Sequence, residues 1–303
     1  MTARKLATEL PSVRDTQAVG VGADETAISV PHRSLRTASV RTRGRRVRRI
    51  VAPATVFLLF IGVWYLVSEV LMSPSRRFLV PPPHAVWQDS IVNAANRDEL
   101  LRGLWVTAKV SLCGLLIATF IGMTCAVVMS LADWLEDSFY PYAILLQVLP
   151  ILAIAPLLGL LFGFGFTSRV IVCVLVALFP IMTNTLFGLK AADKSMHELF
   201  TLMKVGRVRR LLKLQFPAAL PSVFTGLRIS GGAAVIGAVV GDFFFQRGEP
   251  GLGVLLQTYS SQLLTPQLYG DAIFAALLGI AMFMALSGLL ALTTGKWYSP
   301  TTK

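Results

Sequence analysis

The sequence predicts an all-α membrane protein of six transmembrane helices, with a folded basic loop between spans 4 and 5. Three observations predict it. Apolar residues make up 54% of the 303, and the mean hydropathy is +0.67. Only 15% of residues are charged, against roughly 25% in soluble domains. The apolar residues also gather into stretches of the length that crosses hydrocarbon, about 20 residues of helix.

Residues 1–49 read as a disordered basic cytoplasmic tail, polar and without an apolar period. Eleven of the 28 Lys and Arg residues fall in residues 1–50. Six of them form the run Arg41, Arg43, Arg45, Arg46, Arg48 and Arg49. An apolar stretch follows at once, so the run reads as a topology signal or a lipid-headgroup contact and not as a nucleic-acid patch.

A membrane domain then covers residues 50–298. Its spans fall at about 50–72, 104–131, 142–162, 170–188, 223–245 and 272–294. Before the second span, Pro81-Pro82-Pro83 stiffens the loop and a short helix is expected from His84. The third span contains Pro150 and Pro156, each of which removes a backbone donor, so it is either a kinked helix or a broken one. Gly237 and Gly241 form a small-xxx-small pair in the fifth, and Gly159, Gly163 and Gly165 also permit close approach. Basic residues concentrate in segments 1–49 and 189–222, which places both termini in the cytoplasm. Segment 132–141 is the exception: it holds Asp133, Glu136 and Asp137 and no basic residue.

The chain carries no chemistry of its own. Gly295-Lys296 lacks the upstream glycine of a phosphate-binding loop and is followed by Trp297, so no ATP site is expected. No acid–base pair or nucleophile elbow stands in the polar segments. Cys113, Cys125 and Cys173 lie in apolar stretches, and His32, His84 and His197 are scattered, so neither metal nor other cofactor is expected. Glu69, Lys109, Arg228 and Asp242 fall near span ends, where long side chains reach the interface. An ion-coupled carrier needs an ionisable or broken-helix site near the midplane, and none is obvious. Gln147 and Asn184 are polar positions in the third and fourth spans. With Asp242 they are candidates for lining or gating a pathway; the alternative is a bond between helices for Gln147 and Asn184 and a structural ion pair for Asp242.

The segment 190–221 reads KAADKSMHELFTLMKVGRVRRLLKLQFPAALP. Seven basic residues lie in it, opposed by Asp193 and Glu198 alone. Glu198, Leu202 and Val205 fall on one helical face, next to Leu199 and Met203. Gly206 interrupts. Arg207 to Gln215 reads as a second short helix, and Pro217 and Pro221 close the unit. Two short helices, apolar on one side and basic on the rest, suit a groove on a soluble partner. They equally suit a membrane surface.

This segment resembles the coupling loop of the membrane subunit of bacterial ATP-binding cassette importers. That loop carries Glu-Ala-Ala, a glycine six residues after the Glu, and a hydrophobic-Pro about nineteen residues after it. Here Glu198 and Pro217 are nineteen apart, Leu199 and Phe200 replace the alanines, and Lys204 stands at the glycine position. Gly206 is the expected substitute for that glycine. The stretches PAALPSVFTGLRISGGAAVIGAVVGDFF (217–244), YPYAILLQVLPILAIAPLLGLLFGFG (140–165), FPIMTNTLFGLKAAD (179–193) and VPPPHAVWQ (80–88) are similar to the nitrate, sulfonate and taurine branch of these permeases.

The resemblance implies a six-span permease in the bacterial plasma membrane, working as two copies, the second most simply identical. Two separate ATP-binding subunits would dock on the loop and hold the ATP. An extracytoplasmic binding protein would deliver a small solute, anionic or vitamin-precursor-like. It also implies that Glu198 caps or positions the first coupling helix, that Leu202 and Val205 seat it, and that Arg207, Arg209 and Arg210 meet acidic groups on the ATPase or the lipid surface. The competing readings are an ion-coupled secondary transporter and a lipid-binding membrane scaffold.

Overall fold

The computed structural model describes residues 40–294, all of whose regular elements are helical. Most of the predicted tail, and residues 295–303, lie outside the described residues. The chain divides into two units, Met1–Val56 and Phe57–Lys303. The described part of the first unit is the beginning of α1 (Val40–Leu66). The helix starts ten residues before the predicted first span and takes in the whole arginine run. Arg is a good helix former, and no proline intervenes before Pro53.

In the second unit, a π-helical turn at Val67–Leu71 ends the first span. The short helix after the proline run is α2 (Pro83–Trp87), with Pro83 in its first turn, where the missing N–H costs nothing. α3 (Ala94–Ser130) is capped by Asn93, whose side chain accepts from the Ala95 N–H at 3.1 Å. It begins ten residues before the predicted second span, because Arg97, Asp98, Glu99 and Arg102 form polar turns that carry the helix beyond the apolar stretch.

The third span is two helices, α4 (Asp133–Val148) and α5 (Ile151–Phe162), meeting at 96°. Leu149 and Pro150 are extended at the corner, so the proline breaks the helix rather than kinking it. The predicted loop 132–141 is thereby corrected: from Asp133 onward it is helix. Asp133 and Glu136 occupy the first turn of α4, where carboxylates complement the helix dipole. Both also pair with Lys190, Asp133 at 3.9 Å and Glu136 more closely. The acidic segment that departed from the charge rule is a local ion-pair site.

α6 (Phe166–Lys190), α9 (Phe216–Phe244) and α11 (Thr265–Thr294) supply the remaining spans, and α10 (Leu252–Ser261) is a short helix between the last two. Among the described residues, five helices are long and apolar enough to cross a membrane, and up to six spans result if the bent α4–α5 pair is one. The centre is α6 against α9, with α3 on one side. About half of the apolar window of α9 (50%) and of α6 (44%) is buried, against none of α11's. α6 and α9 therefore form the core, and α11 turns its apolar side chains outward, as lipid requires. Close approach of the central pair depends on Gly237 and Gly241: a Cβ there would sit 2.9 Å from Cys173 Cα and 3.1 Å from Arg169 Cα. The small-xxx-small pair thus serves packing within one chain. Ser230 adds a hydrogen bond to the Ala177 carbonyl at 2.7 Å.

Candidate functional site

The first expected helix of the loop forms, but its cap is a residue that the sequence reading did not single out. Asp193 caps α7 (Lys194–Leu202), accepting from the Ser195 N–H at 3.2 Å. Glu198 stands mid-helix and exposed, so it does not cap α7. Asp193, directly before the helix, accepts from the first turn's free N–H groups; a residue five positions further on cannot.

At the other end of α7 the chain reverses through a Schellman closure. The Val205 N–H meets the Phe200 carbonyl and the Lys204 N–H meets the Thr201 carbonyl, both at 3.0 Å. That closure demands a left-handed residue, almost always glycine. Here it is Lys204, at φ 52°. The expectation that Gly206 takes over this role is overturned. Gly206 has φ −64° and ψ 155°, an extended conformation open to any residue, and precedes α8 (Arg207–Arg210). Val205 is therefore the residue after the left-handed turn, half-buried as is Phe200, and not part of the α7 face.

The second half of the loop also differs from the expected short helix closed by prolines. α8 leads through a π turn (Leu211–Gln215) straight into α9, and the run Arg207–Phe244 counts as one span of 38 residues. The wide turn has a cause. The ring of Pro217 clashes with the carbonyl four residues earlier, and widening the helix there relieves it. Arg228, expected near a span end, lies well inside this helix, half-buried.

Apolar side chains stand out on the loop. Leu202 is 81% exposed, Met203 66% and Val208 67%, and Met196, Leu199 and Leu212 are exposed beside them. Arg207 and Arg209 are exposed among them. Arg210 instead turns inward, donating from Nη2 to Thr201 Oγ1 at 2.8 Å and so tying α8 to α7.

Residues 118–303 match the family of binding-protein-dependent transport system inner membrane components. The chain belongs to this family. It is 30% identical over 81% of its length to the formylaminopyrimidine transport permease protein of Halalkalibacterium halodurans, covering 95% of that protein. It is 29% identical to the riboflavin transport system permease protein of Chloroflexus aurantiacus, over 81% of this chain and 89% of that one. Identity to the taurine transport system permease protein of Escherichia coli is 26%, over 81% and 88%. The similarity to the nitrate, sulfonate and taurine branch stands, and the chain is a membrane permease component, not an enzyme.

At the opposite end of the bundle Asp242 forms the structural ion pair that was one reading of it, with Arg169 as the partner that sequence reasoning did not name. Arg169, in the first turn of α6, is 2% exposed in its side chain, and Asp242, in the last turn of α9, is 0%. Arg169 Nη1 lies 3.0 Å from Asp242 Oδ1, off the hydrogen-bonding direction, so the contact is chiefly ionic. The guanidinium spends its N–H groups on carbonyls of the chain after α9: Phe245 at 2.6 Å, Glu249 at 3.0 Å and Arg247 at 3.3 Å. Thr107 completes the unit, donating to Asp242 Oδ2 at 3.1 Å and accepting from the Leu252 N–H at 2.8 Å. Gly251 is required here, since a Cβ would lie 2.0 Å from Asp242 Oδ2. Asp242 is thus enclosed in a pair that fastens α3, α6, α9 and α10, away from any open surface. Arg169 escaped notice because it falls between two predicted spans. An aspartate in an apolar helix, needing a cation, was the available signal.

The other pathway candidates do not converge on Asp242 in any shared contact. Gln147 is exposed on the last turn of α4, before the corner. Asn184, half-buried, donates to the Pro180 carbonyl of its own helix at 2.8 Å, not to a neighbouring one. Near the ion pair, the Tyr259 hydroxyl donates to Glu99 at 2.9 Å. Burial pushes the Tyr259 phenol up, and this hydrogen bond adds to the shift, so the hydroxyl stays a donor. A cavity of about 820 Å³ opens at this end between Trp105, Lys109 and Glu249.

Proposed function

We propose that this permease is the pathway subunit of an ATP-driven importer, with α7 and α8 as the element that ATP-binding subunits grip. One observation carries this reading. An ordered pair of short helices, anchored at Asp193 and Arg210, presents exposed Leu199, Leu202 and Met203 among basic residues. Apolar side chains held out in water on a rigid support are what a soluble partner's groove takes up. A headgroup surface, the other reading of the loop, has no need of the closure at Lys204. Two ATP-binding subunits dock there and hold the ATP, and the permease binds no cofactor.

A second, identical copy completes the pathway. The bent pair α4–α5 supports this: Tyr142, Leu145, Leu146 and Val148 line an apolar cavity of about 590 Å³ and stand exposed on the chain. Both termini and the α7–α8 loop face the cytoplasm of a bacterial cell, and a binding protein delivers the solute at the other end, near Trp105 and Glu249. The relatives' names span a pyrimidine, a vitamin and a sulfonate, so the solute is small and either anionic or vitamin-precursor-like, with the binding protein choosing among them.

The test is purification of the tagged permease from its own membranes, followed by solute uptake in vesicles. An ATP-hydrolysing subunit should co-purify, and Leu202→Glu with Leu199→Glu should release it while leaving the permease folded. ATP depletion should stop uptake. Uptake that survives depletion and collapses with an uncoupler would establish an ion-coupled carrier instead.

A further inference from the structure

A small cavity lies between the α7–α8 loop and the end of α3. It measures about 170 Å³ and is lined by Ser130, Leu131, His197, Arg207, Arg210 and Gln215. Four elements contribute: the end of α3, α7, α8 and the π turn before α9. Every polar side chain in the lining can donate a hydrogen bond: two guanidinium groups, an imidazole, a hydroxyl and an amide. No carboxylate lines it.

Of the acids on neighbouring turns, Glu198 stands exposed on α7 outside the lining, and three others are committed elsewhere. Asp133 and Glu136 pair with Lys190, and Asp193 caps α7. Among the described residues, neither Arg207 nor Arg210 makes an ion pair within the chain. Arg210 goes further: its Nε is buried and has no hydrogen-bond partner. A buried guanidinium N–H without an acceptor is costly. Yet the group is held still, by Nη2 on Thr201, whose own hydroxyl donates to the His197 carbonyl at 2.8 Å. A preorganised cation without an ion-pair partner, lining a cavity of donors, suits an anion.

We propose that this cavity binds a phosphate-type oxyanion, which clamps the α7–α8 loop to the end of α3. Two features select that class. Donors arriving from four directions match the oxygens of a tetrahedral oxyanion better than the two of a carboxylate. The volume admits a phosphate group but not a nucleotide. The source is either free phosphate or the headgroup phosphate of an anionic phospholipid, since the cavity stands at the end of membrane-length α3. The proposal needs no ATP-binding subunit and is separate from the transport reading.

The experiment uses the full chain in nanodiscs of phosphatidylcholine. Inorganic phosphate is titrated against chloride at equal ionic strength, following thermal unfolding and retention of radiolabelled phosphate. A second set of nanodiscs contains phosphatidylglycerol, and intact mass spectrometry reports retained lipid. Free phosphate as the ligand predicts saturable binding in phosphatidylcholine. A headgroup ligand predicts retained phosphatidylglycerol, a raised unfolding temperature and no further response to phosphate. In either case Arg210→Gln and, as an independent variant, Arg207→Gln should each weaken binding about tenfold, the scale of one lost charge-assisted hydrogen bond. Arg209→Gln, on the exposed side of α8, should change it less than about twofold. Equal responses from all three variants, or no response to either anion, would overturn the proposal.

Discussion

Lys204 occupies a position whose backbone was shaped for another residue. The left-handed region costs a residue with a Cβ roughly 1 kcal/mol relative to glycine. The hydrogen bonds of the closure, at 3.0 Å each, hold Lys204 there regardless. Lys204→Gly should therefore stabilise the permease by about 1 kcal/mol, read as a raised unfolding temperature. Gly206→Ala should be neutral or slightly stabilising, because a Cβ at Gly206 meets nothing within 4 Å and its φ is −64°. The reverse ranking would mean that Gly206 makes the turn after all. The spacing from Glu198 located the turn correctly, but composition argued for moving it to the nearby glycine. Hydrogen bonds of the closure outweighed the residue's own preference. At the other end of the bundle, Arg169→Met should cost about 3–5 kcal/mol by leaving the Asp242 charge buried and unpaired. Pairing it with Asp242→Asn should recover a large part of that. A double substitution as damaging as the sum of the singles would show that Arg169 acts through the carbonyls of Phe245, Arg247 and Glu249 alone.

At the scale of elements, hydropathy marked where spans exist but not where helices end. α3, and α8 running on into α9, extend past their apolar stretches because the polar turns around Arg97–Arg102 and Arg207–Arg210 still favour helix, with Pro217 accommodated by the π turn. The break between α4 and α5 was visible as Pro150, while its 96° angle depends on what α5 packs against, including Phe164 and Phe245, and no local pattern carries that. The cap of α7 was assigned to Glu198 although its start signal is local: an aspartate directly before a helical stretch. Asp193→Ala removes that cap and should cost about 1 kcal/mol. The loss should fall on the loop alone, so amide exchange in α7 should accelerate while α6 and α9 remain protected. Uniform acceleration across the bundle would tie the cap to the whole fold.

For the whole molecule, the α6–α9 core fixes which ends of the bundle oppose each other. α9 carries the α7–α8 loop before its first turn and the Arg169–Asp242 unit at its last. The proposed orientation then makes a two-sided prediction from two exposed glutamates. Glu198→Cys, on α7, should react with a membrane-impermeant maleimide only after the vesicles are opened. Glu249→Cys, beyond α9, should react in intact right-side-out vesicles. Glu249 forms an exposed pair with Lys109 at 3.6 Å, worth at most about 1 kcal/mol, so its loss leaves the fold in place. Cys113 and Cys125 are first replaced by Ser, because Cys113 is exposed and Cys125 half-buried on α3, while Cys173 is buried in α6. Labelling of both sites from the same side would break the six-crossing topology. Exchange of the two patterns would keep the topology and invert it, placing the basic loop outside and removing it from the reach of any cytoplasmic ATPase.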